Sequence, residues 1–241
     1  MRSSVFFIMG GVLANLFLCA FIIYKTNYYK FILSRFGYKC IEPVEQRPDY
    51  WCVKSWIWSL QKMNISCDVC FFGHSQIASS DFQKDFPNVK IVELGYAGDD
   101  ILGMIQRVPQ IVAVKPSMVF VLAGTNSLHY PKKMFETEYD KLISTIRLML
   151  PNIDVVLFNI IPQCDGKLGK MSNNKIIRER NLFMKDYAKN HNIPVIDLYS
   201  LYVDERTLNL NQEFTTDGIH LNNKAYSIWS KALEKYIITN S

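Results

Sequence analysis

The sequence predicts a three-layer α/β sandwich around a central five-stranded parallel sheet, preceded by one transmembrane helix. Three observations predict it. Five short, mainly apolar runs are rich in Val, Ile and Phe, helical patterns lie between them, and a stretch of twenty uncharged residues stands near the amino terminus. Continuous apolar strands alternating with amphipathic helices imply a parallel sheet covered on both faces.

The uncharged stretch, Val5–Tyr24, reads VFFIMGGVLANLFLCAFIIY, with Asn15 its one strongly polar side chain. As a helix it spans roughly 30 Å, the thickness of a bilayer core. A cleaved signal peptide is the alternative, but its apolar core is shorter and a small-x-small site follows it. Leu18 fits such a site poorly, whether cleavage is near Ala20 or a lipoprotein signal ends at Cys19. Residues 1–24 are therefore expected to be an uncleaved anchor and residues 25–48 a juxtamembrane tether ending in Pro43 and Pro48. Lys25, Lys30, Arg35 and Lys39 follow the span and only Arg2 precedes it. By the positive-inside rule that bias keeps the downstream side in the cytoplasm.

Residues 49–241 form one α/β domain. It begins with a helical pattern of Trp51, Val53, Trp56, Ile57 and Leu60. Four strand candidates follow, Val69–Phe72, Val89–Leu94, Met118–Ala123 and Val155–Ile161, and a fifth, Val195–Leu198, begins after Pro194. One helix face gathers Phe135, Tyr139, Leu142, Ile143, Ile146 and Met149. A second gathers Ile176, Ile177, Phe183, Met184, Tyr187 and Ala188, and the last carries Ala225, Ile228, Trp229, Ala232, Leu233 and Tyr236.

Composition narrows the function classes. A chain that is 49% hydrophobic and 20% charged is neither a disordered tail nor a collagen-like repeat. Six cysteines in 241 residues are too few for a disulfide scaffold. The net charge of +5 comes without a long basic run, so no nucleic-acid partner is expected. Cys67 and Cys70 form a C-x-x-C pair, but odd spacing in a strand puts them on opposite faces, as core packing. Cys40 and Cys52 flank the end of the tether, and spacing leaves their pairing open. His191 reads as an exposed helix terminus, His129 as a possible pocket residue, and Trp51 and Trp56 as core.

Ligands of open α/β sheets bind beyond the carboxyl ends of the strands. The first strand is followed by Gly73-His74-Ser75-Gln76, the second by Gly95-Tyr96-Ala97-Gly98-Asp99-Asp100, and the third by Gly124-Thr125-Asn126-Ser127. Asp217-Gly218-Ile219-His220 precedes the last helix. Together these turns supply a hydroxyl, an imidazole and a carboxylate. Ser75 is the candidate nucleophile, which needs a base to take its proton. His220 can be that base, with Asp217 holding its tautomer. Taken alone, Asp217-Gly218 also reads as a plain turn before a helix capped by Asn222 or Asn223. Oxyanion donors would be the N–H groups of Ser75 and Gly98 and the Asn126 amide. His74 is a poorer base than His220, because adjacent side chains of an extended segment point in opposite directions.

The ordered set resembles the SGNH hydrolases, also called GDSL-type esterases and lipases. Ser75 in FFGHSQI matches the first block, Gly98 in LGYAGDD the second, and Asn126 in LAGTNS the third. Asp217 and His220 in TTDGIHLN match the last, and VIDLYSLY resembles the family's C-terminal end. The resemblance covers roughly residues 51 to 237 and implies a flavodoxin-like SGNH fold, with Ser75, Asp217 and His220 as a catalytic triad. It further implies an oxyanion hole of Ser75, Gly98 and Asn126, no metal or organic cofactor, and a small-molecule or glycan ester, O-acetyl foremost, as substrate. It also implies that the anchored domain faces outside the cytoplasm, against the charge bias noted above. Two positions depart from the family: His74 stands where Asp usually precedes the nucleophile, and Ser127 where Asp usually follows in the third block. An α/β-hydrolase fits poorly, because Ile77 stands at the second glycine of G-x-S-x-G and the acid and His share one turn. The rival functions are an O-acyltransferase using the same site and a non-catalytic binding protein.

Overall fold

A computed structural model of the chain describes residues 50–164 and 173–237. Five parallel strands form one sheet in the order β2-β1-β3-β4-β5: β1 Val69–Gly73, β2 Ile91–Gly95, β3 Met118–Leu122, β4 Asp154–Phe158 and β5 Val195–Ile196. Val69 lies opposite both Ile91 and Met118, Met118 opposite Asp154, and Leu157 opposite Val195. That order is the flavodoxin-like one, whose reversal point lies between β1 and β3. All residues of β1 and β3 are buried, which is why neither run alternates, whereas the edge strand β2 is mostly half-buried.

The helices are α1 Tyr50–Met63, α2 Ser75–Ala78, α3 Phe82–Asp85, α4 Ile101–Val114, α5 Lys132–Met149, α6 Asn174–Asn190, α7 Leu198–Tyr202 and α8 Asn223–Ile237. Side chains of neighbouring strands at one level of the sheet share a face. Phe71, Phe120 and Phe158 therefore stack across β1, β3 and β4, with ring centroids 4.8 and 5.6 Å apart. Trp229 of α8 closes that stack edge-on, 5.0 Å from Phe158. On the opposite face Phe72 lies against Arg107 of α4, α4 packs on α1 and α5, and Phe183 and Tyr187 of α6 meet Tyr139 of α5 edge-on. The result is three layers, helix, sheet and helix.

The predicted strands sit where expected, with trimmed ends. β2 starts at Ile91 rather than Val89, and β4 stops at Phe158 rather than Ile161. β5 ends at Ile196 because the Asp197 carboxylate accepts the Ser200 N–H and starts α7. Met149, placed on the core face of α5, is exposed. The helix α4 was not predicted at all. Its sequence, ILGMIQRVPQIVAV, is apolar on nearly every side and carries Pro109 inside, so neither periodicity nor breaker rules pick it out. The predicted anchor, the tether and Cys40 lie outside the described residues, as do the side chains of Trp51 and Cys52. Among the described residues, no helix is long and apolar enough to cross a membrane. Cys67 and Cys70 are free and buried, and burial raises both thiols, Cys67 to about 12.

One glycine fixes the spacing between β2 and the first turn. A Cβ at Gly95 would stand 2.0 Å from the Ala78 backbone nitrogen, so α2 can cross the end of β2 only over a bare α-carbon. A Cβ at Gly98 would meet nothing within 4 Å, although φ there is +79°. Gly95→Ala is therefore expected to cost more than about 3 kcal/mol in urea unfolding, because backbone must move. Gly98→Ala should cost only about 1–2 kcal/mol, the penalty of a left-handed conformation.

Candidate active site

Each predicted site residue stands where the chain leaves the carboxyl end of the sheet or on the turn that feeds α8. Ser75 is the first residue of α2, directly after β1 and its connecting residue His74. Asp217 and His220 occupy the turn before α8, and Asn222 accepts the Ala225 N–H with its side chain. The turn thus does two jobs, capping a helix and holding an acid beside an imidazole.

The structure brings Ser75, His220 and Asp217 together across 145 residues of sequence. Asp217 Oδ2 lies 2.6 Å from His220 Nδ1, and Ser75 Oγ lies 3.0 Å from His220 Nε2. A carboxylate can only accept, so Nδ1 carries the proton and Nε2 is left to accept the serine hydroxyl. Asp217 Oδ1 accepts the N–H groups of Ile219 and His220, at 2.8 and 2.7 Å, so the turn's own backbone orients the acid. Burial pushes the Asp217 carboxyl up, but hydrogen bonds from the His220 ring and from the backbone of His220 and Ile219 outweigh it, and it falls to about 2. The His220 and Asp217 side chains are 46% and 35% exposed, open to a ligand from solvent.

The three expected donors lie on turns that follow β1, β2 and β3. Asn126, in a 3-10 turn after β3, donates one amide hydrogen to the Asp99 carbonyl at 2.8 Å. That bond ties the Asn126 turn to the loop carrying Gly98. Among the described residues, the backbone N–H groups of Ser75 and Gly98 have no hydrogen-bond partner. A hydroxyl in contact with a relayed imidazole can support attack on a carbonyl, and free N–H donors can hold the oxygen charge that develops.

The two unusual positions have distinct structural roles. Ser127 is fully buried, and its hydroxyl accepts the Ile101 N–H at 2.9 Å, satisfying a first-turn donor of α4. His74 is 1% exposed, and neither ring nitrogen has a hydrogen-bond partner among the described residues. Burial, then the nearby charges of His220 and Arg107, lower its pKa to about 4, so the ring is neutral at physiological pH. His129 is half-buried and packs edge-on against Tyr130. His191 ends α6, exposed and stacked on Tyr187. Trp56 is half-buried, its ring 6.5 Å from that of Tyr96. Among the described residues, no group of three or more His, Cys, Asp or Glu side chains is arranged to hold a metal ion.

Two residues of the site were not found by sequence reasoning. Arg107, on the unpredicted helix α4, binds the Gly73 and Leu94 carbonyls and the Asp99 carboxylate. Gln76, next to the serine, reaches the turn of His220 on both sides. A polar residue inside an apolar helix is the one sequence signal for Arg107. Gln76 carries none.

The buried imidazole sets a pH dependence of stability. His74 binds a proton less readily when folded than when unfolded, so stability is full above about 6.5 and falls as pH drops towards about 4. The loss is on the order of 3 kcal/mol. Asp217 acts lower, losing its contribution as pH falls from about 3.9 to about 2, and its exposure makes that contribution small. In urea unfolding between pH 7.5 and 4, His74→Asn should flatten the slope; an unchanged slope would assign the acid sensitivity elsewhere.

Solved structures share this fold. A GDSL-like lipase from Bacteroides thetaiotaomicron superposes with a TM-score of 0.67 at 19% identity, covering 78% of this chain and 98% of that one. A lipase/acylhydrolase from Enterococcus faecalis gives 0.61 at 20% identity, covering 72% and 96%. An acetyl xylan esterase gives 0.59 at 18% identity, covering 70% and 99%. No match was found among curated proteins. The model of the GDSL-like lipase/acylhydrolase family matches residues 68–228, from the start of β1 into α8, and the chain belongs to that family.

Proposed function

We propose that the protein is a serine esterase that cleaves short acyl esters through a covalent acyl-enzyme. The observation that carries the reading is the continuous contact from Asp217 through His220 to Ser75. Ser75 Oγ attacks the ester carbonyl while His220 Nε2 takes the hydroxyl proton, and Asp217 stabilises the imidazolium formed. The carbonyl oxygen, now negative, receives hydrogen bonds from the Ser75 and Gly98 N–H groups and the Asn126 amide. Collapse of the tetrahedral species expels the alcohol, which takes its proton from His220. Water, deprotonated by the same nitrogen, then releases the acid and regenerates Ser75.

The chemical class of the ester is proposed as O-acetyl, including acetyl groups on carbohydrate. The family match and the fold shared with an acetyl xylan esterase support that class. The proposal includes an anchor at Val5–Tyr24 with residues 49–241 outside the cytoplasm, on the strength of the uncharged span and the family resemblance. A cysteine probe near Ser241 on intact cells tests the orientation, and labelling only after permeabilisation would reverse it.

Activity is tested with p-nitrophenyl acetate. Ser75→Ala and His220→Ala should each lower turnover on the order of 10⁴- to 10⁶-fold, and Asn126→Ala about 10²- to 10³-fold. A folded wild type no faster than Ser75→Ala would sink the esterase reading. Acyl transfer to an added sugar, in place of release to water, would turn it to an acyltransferase with the same site.

A further inference from the structure

The triad is assembled from two segments 145 residues apart, and its internal bonds do not explain why they meet. Asp217 and His220 hold each other within one turn. Those bonds orient the imidazole relative to its own backbone and leave its distance to Ser75 free. The turn is also tied to its surroundings by the Thr215–Leu221 bridge and by Cys164, whose N–H donates to Gly218. Neither tie reaches the nucleophile.

Gln76 does. Its Nε2 donates to the Ile219 carbonyl at 2.8 Å, and its Oε1 accepts the Leu221 N–H at 3.2 Å. These are the backbone groups immediately before and after His220. A planar amide that donates to one flank of a residue and accepts from the other pairs with it as a neighbouring strand would. It therefore fixes both the position and the rotation of the peptide bearing His220. Gln76 follows Ser75 directly, so the frame that places the imidazole is one residue from the hydroxyl that the imidazole must reach. The clamp is itself held: the Tyr226 hydroxyl of α8 donates to the Gln76 carbonyl at 2.6 Å. At 3% exposure, water cannot take over the amide's bonds.

We infer that Gln76 is a positioning residue that sets the Ser75–His220 distance by bracketing His220 with its side-chain amide. The inference rests on the esterase reading only for its effect on rate; the geometric role stands apart from any reaction. The residue type matters because only an amide offers a donor and an acceptor together at neutral pH. A carboxylate keeps the bond to Leu221 and sets a negative oxygen against the Ile219 carbonyl. A protonated carboxyl restores both bonds.

The test uses the full chain, with histidine ring nitrogens labelled for NMR. In the wild type, Ser75→Ala should shift the His220 Nε2 resonance, because the serine hydroxyl is its partner. In the Gln76→Leu background the same substitution should leave that resonance unmoved, while the low-field Nδ1–H signal towards Asp217 persists. On p-nitrophenyl acetate, Gln76→Leu should lower kcat about 10²-fold with KM within about threefold, the signature of a group misplaced for the chemical step. Gln76→Glu should gain on the wild type, compared at equal pH, as pH falls from 8 to 5.5. That pH comparison also serves alone if Gln76→Leu does not fold. An Nε2 shift of equal size in both backgrounds, or a Gln76→Glu deficit that does not vary with pH, would overturn the inference. An intact NMR result in a protein that hydrolyses no ester would uphold the clamp and overturn the esterase reading alone.

Discussion

The Arg107 guanidinium is the contact on which the carboxyl end of this sheet, with its candidate site, depends. It is 1% exposed, and each of its three nitrogens has a partner. Nε and Nη2 bind Asp99 Oδ2 at 2.8 and 2.7 Å, Nη2 also binds the Gly73 carbonyl, and Nη1 binds the Leu94 carbonyl and Gln110 Oε1. These acceptors are the last residue of β1, the penultimate residue of β2 and the residue after Gly98. One planar cation thus gathers the roots of the nucleophile turn and of the second loop. A lysine has three donors on a single atom and could not span them. Burying a cation costs several kcal/mol, and here the buried Asp99 carboxylate and three neutral acceptors offset it.

From that root the site is built outward by bonds that each join two loops. Asn126 joins the third loop to the second through the Asp99 carbonyl, and Ser127 joins them again through the Ile101 N–H. Gln76 joins the first turn to the last. No single loop holds its own functional group in place, apart from the Asp217–His220 turn. The four loops are thus linked in series, last to first, first to second and second to third, and strand positions fix only the starting points of that series.

The parts legible in the sequence were those with a short-range cause. The fully buried strands β1 and β3 show as unbroken apolar runs, and the other three keep enough Val, Ile, Leu and Phe to be visible, so only strand ends were misjudged. The ends depend on side chains such as Asp197, whose capping bond cannot be read from hydropathy. Ser75, Gly98, Asn126, Asp217 and His220 could be named as candidates because turns after strands collect ligand-facing residues and because their order matched a known family. Helix α4 was hidden by burial on most of its circumference, which removes the polar face that periodicity needs. Arg107 and Gln76 escaped because their roles are long-range. Arg107 reaches back 34 residues to Gly73, and Gln76 reaches forward 143 to Ile219.

The charge balance of the interior also accounts for the neutral ring at position 74. Arg107 is already matched by Asp99 in a buried pair. A carboxylate at 74 would lie in the field of Arg107 and His220, the same two groups that act on His74. It would compete with Asp99 for the guanidinium that organises two loops, and with Asp217 for influence on the imidazole. An imidazole kept neutral by burial exerts neither pull. Position 74 therefore contributes packing without charge.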